Sequence, residues 1–369
     1  MSRGVYNFSS GPAMLPEPVL ERVRSELTDL DGSGMSIVEI SHRSSAFEEI
    51  AHRTESTLRR VLSIPEDYRV LFMQGGASLQ FSAVPLNLAP PGSTVDYLVT
   101  GHWSSRAARE AARYCSVNVA ADGGPLKYRA IPDPADWSPT SDAAYLAYAA
   151  NETIDGVEFP FVPPTDAALV ADMSSTILSR PIDVSRFGLI FFGAQKNLGP
   201  AGLTIVVVRD DLVGGARPET PTLLDYAEVA RSGSMLNTPP TFSWYVAGLV
   251  LEWIEAQGGL TAIGTRNRRK GELLYGAIDG SRLYRNDIDS RHRSWTNVTF
   301  RLTDPALEER FLVEAAQAGL VNLKGHRSIG GLRASIYNAM PAEGVETLVE
   351  FMTDFERRVL HDADAEATS

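Results

Sequence analysis

Between residues 70 and 208, short apolar runs alternate with stretches of helical periodicity, and this rhythm restricts the fold more than any other feature of the sequence. The runs are Val70 to Met73, Val95 to Val99, Val117 to Ala120, Ala144 to Ala149, Ala168 to Ala171, Leu189 to Phe192 and Leu203 to Val208. Each is short, rich in β-branched or other apolar residues, and bounded by polar or turn-forming positions. The alternation predicts an α/β protein with a mostly parallel sheet covered by helices on both faces. Ligands of such sheets bind in the loops beyond the carboxyl ends of the strands, so those loops are where chemistry is sought.

The flanking segments complete the outline. Asn7 to Pro16 has two prolines, a glycine and no period, and reads as an arm. A helix follows, with Leu20, Val23, Leu27 and Leu30 on one face and Asp31 to Gly34 as its stop. A second helix starts near Ser45, whose hydroxyl and Glu48 fit a capping box, and buries Phe47, Ile50, Thr54, Leu58 and Val61. His42-Arg43 then lies in the loop before it, and His52-Arg53 on its outer face. Asn237 is expected as the N-cap of a proline-started helix, and long amphipathic segments follow at Phe242 to Ile254 and Leu260 to Ile278. Strands at Val298 to Leu302, Leu320 to Leu323 and Leu332 to Ile336 mix with helices at about 305–319 and 342–360. The expected division is a large unit of residues 16–257 and a smaller α+β unit of 258–369, with the arm of 1–15 packing on the smaller one.

Charge and cysteine content narrow the function classes. A net charge of -12 argues against nonspecific nucleic-acid binding and against an anionic membrane surface, so an anionic ligand needs a local basic cluster. No run approaches the length of a membrane helix, and Met1 to Asn7 has no apolar core, so neither a span nor a signal peptide is expected. Cys115, the single cysteine, permits no intrachain disulfide; it suits a reducing cytoplasm and reads as a small buried apolar residue. No metal ion is expected. The polar, acidic tail from His361 to Ser369 is expected to be frayed.

Among the strand-end loops, Gly193 to Gly202 carries Lys196 between two apolar runs. An ammonium held against a core is most easily made nucleophilic, because burial disfavours its charged form; a solvated lysine at a hairpin turn would read the same. Asp172 ends the preceding strand and would face the same cleft, where a carboxylate needs a cation or a protonated ring nitrogen. It would equally serve as an N-cap or an Asx turn. Gln74 to Ser78 follows the first run with two glycines and opens a helix, which suits an anion such as phosphate as well as a plain turn. Trp103 opens another helix and could stack on a planar ligand or pack in the core. Lys324 to Ser328 and Gly330 to Arg333 concentrate basic side chains, with Arg333 suited to a bidentate grip on a carboxylate.

Taken together, Asn7 to Pro16, Ser41-His-Arg43, Gly75 to Ser78, Asn151-Glu-Thr153, Asp172 to Ser175, Gly193 to Gly202, Ser234 to Pro240 and Lys324 to Pro341 resemble the phosphoserine aminotransferase family. The resemblance runs in the family's order from about residue 7 to 360. It implies a pyridoxal-phosphate enzyme of fold type I, class V, with a seven-stranded, mostly parallel sheet, working as a homodimer. By the resemblance, Lys196 is the Schiff-base lysine, Asp172 the partner of the pyridinium nitrogen, Trp103 the stacking ring and Thr153 a further cofactor contact. Gly76, Ala77 and Gln195 would hold the cofactor phosphate, with Asn237 and Thr238 from the other subunit. His42 and Arg43, also from the neighbour, would bind the substrate phosphate with His326 and Arg327, and Arg333 the substrate carboxylate.

The implied reaction is transfer of an amino group from glutamate to 3-phosphohydroxypyruvate, in serine and, by the same chemistry, vitamin B6 biosynthesis. Some relatives have an arginine where this chain has Ala77-Ser78, and Gly214 to Pro221 matches no family pattern. Other class V enzymes compete. A cysteine desulfurase needs a mobile loop cysteine, which Cys115 beside a strand is not, and a small-amino-acid transaminase does not need two His-Arg pairs. A non-catalytic binding protein would not need both Lys196 and Asp172.

Overall fold

The computed structural model describes residues 4–367; Met1 to Arg3, within the segment read for a signal peptide, and Thr368-Ser369 of the acidic tail lie outside the described residues. In chain order, an arm with β1 (Tyr6–Asn7) precedes helices α1 (Glu17–Glu26) and α2 (Ser45–Leu62). Then come β2 (Tyr68–Met73), α3 (Gly76–Leu88), β3 (Thr94–Val99), α4 (His102–Ala111), β4 (Ser116–Asp122) and β5 (Tyr145–Ala149). A short ribbon, β6 (Asn151–Glu152) with β7 (Val157–Glu158), leads to β8 (Ala168–Asp172), β9 (Leu189–Gly193) and β10 (Thr204–Arg209). Helices α5 (Tyr226–Arg231), α6 (Thr241–Ala256) and α7 (Gly259–Asp279) follow. The chain ends with β11 (Tyr284–Arg285), β12 (Asn297–Leu302), α8 (Glu308–Gln317), β13 (Leu320–Val321), β14 (Leu332–Ser335) and α9 (Ala342–Ala367).

The central sheet is seven-stranded in the order β2-β10-β9-β8-β5-β3-β4, and each expected run forms one of its strands. β10 pairs antiparallel with β2 and β9, and the remaining pairings are parallel. The runs of β9 and β10 are continuously apolar because successive side chains point to opposite faces and both faces are covered there. Ile205 and Val207 of β10 and Ile190 and Phe192 of β9 join one cluster with Phe47 and Leu58 of α2 and Trp244 and Ile254 of α6. Val206, Val208, Leu189 and Phe191 join the other with Phe81 of α3, Ala108 of α4 and Tyr226 of α5. A third cluster gathers Leu274 of α7, Phe300 of β12, Phe311 of α8, Ala334 of β14 and Phe355 of α9, together with Phe8 of the arm. The arm is tied there because β1 pairs in parallel with β13, Tyr6 opposite Leu320. α7 serves two clusters, with Leu260 and Ile263 on the large sheet and Leu274 and Ile278 on the small one.

Some local expectations are corrected. The second helix is capped by Ser44, not Ser45, its hydroxyl accepting the Phe47 N–H at 3.3 Å. Ser44 has the extended backbone a cap needs, whereas Ser45 is already helical. Asn237 is no N-cap: α6 starts at Thr241 with Pro240 at the cap position and no side-chain bond. α1 ends at Glu26, so its buried contact is Val19 and Leu27 is exposed. The expectation of a frayed tail fails over its described part, because α9 continues to Ala367 through a segment without Gly or Pro. Among the described residues no helix is long and apolar enough to cross a membrane.

Glycine positions on two helices make a paired prediction. A Cβ on Gly248 of α6 would stand 2.5 Å from Oγ1 of Thr54 on α2. That hydroxyl cannot retreat, since it donates to the Ile50 carbonyl at 2.8 Å inside the core. Gly248→Ala should lower stability in thermal or denaturant melts by about 1–3 kcal/mol despite alanine's better helix propensity. Gly276→Ala on α7, where a Cβ meets nothing within 4 Å, should raise it by up to about 1 kcal/mol.

Candidate active site

Parallel strands bring their carboxyl ends to one edge of the sheet, so the loops after β2, β3, β5, β8 and β9 share that rim. Because β10 runs antiparallel to β9, the intervening loop turns at the same rim and keeps Lys196 there. The neighbour order β9-β8-β5-β3 then lines up Lys196, Asp172, Thr153 and Trp103 from successive strand ends.

The amine of Lys196 is not a solvated turn group: its Nζ donates to Oγ1 of Thr153 at 2.6 Å. Burial pulls its pKa from 10.5 down to about 8 against the attraction of Asp172, while Arg333 deepens the fall and Glu152 opposes it. Asp172 forms a local turn and also faces a cavity. Its Oδ1 accepts the N–H of Ser174 at 2.9 Å and its hydroxyl at 2.6 Å, which is an Asx turn. The same carboxylate lines a small cavity with Trp103, Ala149 and Phe191. Burial raises its pKa, and the Ser174 bonds and Lys196 work against that rise.

The glycine loop after β2 has left-handed backbone at Gly75 (φ 89°) and Gly76 (φ 68°). Gly75 is the N-cap of α3 and has no side chain with which to satisfy the first N–H groups. A Cβ at Gly76 would meet nothing within 4 Å, and the N–H groups that open α3 have no side-chain cap, which suits an anion there. Gln195 lies under the arm, its carbonyl accepting the Ala13 N–H at 2.9 Å.

Arg333 is buried at 9% exposure. It donates from Nη1 to the Thr153 carbonyl at 3.2 Å and from Nη2 to Ser10 Oγ at 2.7 Å. Burial lowers its pKa. His326 also reaches this region, its ring 5.9 Å from that of His102, and burial followed by repulsion from Arg333 favours its neutral form.

Other expected residues do not join these contacts within one chain. Arg327 and Arg43 are exposed. Nε2 of His42 is shielded from solvent with no hydrogen-bond partner among the described residues. Asn237 and Thr238 are exposed, and Gln74 Nε2 donates to Asn237 Oδ1 and the Thr238 carbonyl, each at 3.2 Å.

Sequence reasoning missed Glu152, Asp155 and Ser10. Glu152 is fully buried, and burial with repulsion from Asp155 pushes its carboxyl up to about 7. The sequence signal was limited to acidic residues inside a polar loop at a strand end, and Ser10 is one serine of an aperiodic arm. The assembled donor set suits a planar, anionic heteroaromatic cofactor. A carboxylate and an indole share one cavity, the uncapped start of α3 suits a phosphate, and a lysine of lowered pKa stands beside them.

Comparison with known proteins bears on the family and the fold. A sequence model of the family described as Aminotransferase class-V matches residues 5–348. The phosphoserine aminotransferase of Pseudomonas putida is 55% identical over 358 residues, covering 97% of this chain and 99% of that protein. The structure of the phosphoserine aminotransferase of Bacillus circulans subsp. alkalophilus superposes with a TM-score of 0.94 at 46% identity, covering 96% of this chain and 99% of that one. The PLP-bound phosphoserine aminotransferase of Trichomonas vaginalis gives 0.91 at 41% identity, covering 95% and 99%.

The lowered lysine pKa has a sign that can be measured. Below about pH 8 the folded and unfolded states both carry the ammonium and its burial destabilises the fold; the penalty fades as the pH rises towards 10.5. In cofactor-free protein, Lys196→Met should therefore raise the melting temperature at pH 7 by roughly 1–3 °C. The difference should shrink in melts between pH 8 and pH 10.5. A gap independent of pH would mean that Lys196 titrates as an ordinary surface lysine.

Proposed function

The chain belongs to the class-V aminotransferases, and from that premise we propose that it is a phosphoserine aminotransferase dependent on pyridoxal 5′-phosphate. It moves an amino group reversibly from glutamate to 3-phosphohydroxypyruvate, yielding O-phospho-L-serine and 2-oxoglutarate in serine biosynthesis. The observation that carries the reading is the contact of Lys196 with Thr153, whose carbonyl also holds the buried Arg333.

When bound, the cofactor supplies an electron-withdrawing ring that delocalises the electron pair left at the substrate Cα. Gly76 and Ala77 with Gln195 would hold its phosphate, joined by Asn237 and Thr238 of a second subunit. Trp103 would stack on the ring, Thr153 would contact it, and Asp172 would keep its nitrogen protonated. Lys196, pulled down to about 8, has a minor neutral fraction at neutral pH, so once displaced its Nζ would take the proton from the substrate Cα and deliver it to the cofactor carbon it had occupied. Arg333 grips the substrate carboxylate with two donors. His326 and Arg327, with His42 and Arg43 of the neighbouring subunit, take the substrate phosphate.

A homodimer with shared sites is supported by the shielded, unpartnered Nε2 of His42 and by Met35 and Val38 nearby, 50% and 55% exposed. A cytoplasmic home accords with the single cysteine. The division into residues 16–257 and 258–369, with the arm on the smaller unit, is supported by the third apolar cluster, although α7 straddles the boundary. Two His-Arg pairs favour a phosphorylated substrate over a small-amino-acid transaminase. The phosphorylated four-carbon keto acid of vitamin B6 synthesis offers the same phosphate, and steady-state comparison of the two keto acids ranks them.

Arg43→Ala should raise KM for the phosphorylated keto acid by about tenfold or more while changing that for glutamate little, because only the former presents a phosphate. Arg333→Ala should weaken both substrates by a similar factor, and equal effects of the two variants on both substrates would overturn the assignment. Lys196→Ala should leave a folded protein whose turnover is at least about 10²-fold lower. Near-normal kcat in that variant would remove Lys196 from the proton transfer.

A further inference from the structure

Helix α4 carries Trp103 in its first turn, yet its N-cap residue, Gly101, has no side chain to satisfy the opening N–H groups. Those groups are met from another strand end. Oε2 of Glu152 accepts the Trp103 N–H at 2.8 Å, and Oε1 accepts the Ser104 N–H at 2.8 Å and the Ser104 hydroxyl at 2.6 Å. Oδ2 of Asp155 accepts the His102 N–H at 3.1 Å. Glycine at 101 makes this approach possible: a Cβ there would stand 2.5 Å from Cγ of Glu152 and 2.7 Å from Oδ2 of Asp155. The indole has no hydrogen bond of its own, since Nε1 of Trp103 is buried without a partner among the described residues, and its ring meets His102 edge-on at 5.2 Å and the Arg106 guanidinium at 6.0 Å. The hydrogen bonds that hold this residue are therefore those of its backbone. The turn that supplies the two carboxylates also supplies Thr153, which meets Lys196 and Arg333.

We propose that Glu152 is a positioning residue that locks the first turn of α4 onto the 151–155 turn and so fixes the Trp103 ring in register with Lys196 and Asp172. This rests on the reading of the rim as a pyridoxal-phosphate site. Glu152 does not line the cavity that Trp103 and Asp172 share, so its action on that cavity would pass through Trp103. Glutamine cannot replace it, because one oxygen meets the Trp103 N–H and the other the Ser104 N–H. Either orientation of an amide turns an NH₂ group towards a backbone N–H.

The test is a double-mutant cycle read as affinity of the cofactor-free protein for pyridoxal 5′-phosphate, by equilibrium dialysis, with near-ultraviolet circular dichroism of the indole bands as a second readout. Glu152→Gln should raise Kd by about tenfold or more, and Glu152→Asp should recover part of that loss. In a Trp103→Ala background the same Glu152→Gln change should cost less than about twofold, because its effect passes through the ring. An unchanged Kd in Glu152→Gln, or an equal loss in both backgrounds, overturns the proposal. If Glu152→Gln does not fold, Ser104→Ala removes one of the three bonds. It should weaken binding severalfold only when Trp103 is present, and no weakening overturns the proposal equally. Wild-type protein that binds no pyridoxal 5′-phosphate would instead refute the cofactor reading itself.

Discussion

A lysine amine withdrawn from water at the edge of a parallel sheet sets the terms for everything around it. Burial against the apolar strand ends disfavours the ammonium, and the Arg333 guanidinium pushes in the same direction. The fold answers with a hydroxyl on the amine, from Thr153, and with the carboxylates of Asp172 and Glu152 within electrostatic reach. The balance brings Lys196 down to about 8, where it changes charge a little above neutral pH. A solvated lysine would be locked as a cation, and one buried without these partners would demand a larger cost in stability.

The five residues from Asn151 to Asp155 carry much of that answer. Their side chains and carbonyls receive α4 through Glu152 and Asp155, Lys196 through Thr153, and Arg333 through the Thr153 carbonyl. Asn151 extends the same connection into the smaller sheet, donating to Asn297 Oδ1 at 2.8 Å, while Asn297 donates to Ser335 and Tyr337. The N-terminal arm closes the arrangement from above. Ser10 accepts from both Arg333 and the Tyr337 hydroxyl, and the backbone at Gly11 packs against the side chains of Gln195 and Lys196. A buried polar network of this kind favours a single geometry, because a slip leaves further buried donors without acceptors; Oδ1 of Asn151 is its one member without a hydrogen-bond partner among the described residues.

Legibility in the sequence followed the range of the interaction. Strands such as Leu189–Gly193 and Thr204–Arg209 were readable because double-sided burial leaves an unbroken apolar run, which is a local signal. Lys196 and Asp172 were readable because each terminates such a run. The cap at Ser44 was misplaced by one residue because two adjacent serines offer the same hydroxyl and only backbone conformation tells them apart. Glu152 escaped notice because a glutamate in a polar loop has no local mark of burial. Its role comes from a helix that precedes it by some fifty positions, its contact to Trp103 spanning a separation of 49 residues.

By itself the sequence determined the two-sided sheet, the identity of the residues at its strand ends and, through motif resemblance, the chemistry they share, since these depend on residue type and short-range spacing. Tertiary structure alone decided the neighbour order β9-β8-β5-β3, and with it which strand ends meet. It also decided that Ser10 reaches Arg333, that Glu152 caps a distant helix, and that Lys196 titrates near 8. The physical reason is that desolvation and long-range hydrogen bonding belong to the surroundings a group acquires on folding, and the chain carries no local record of them.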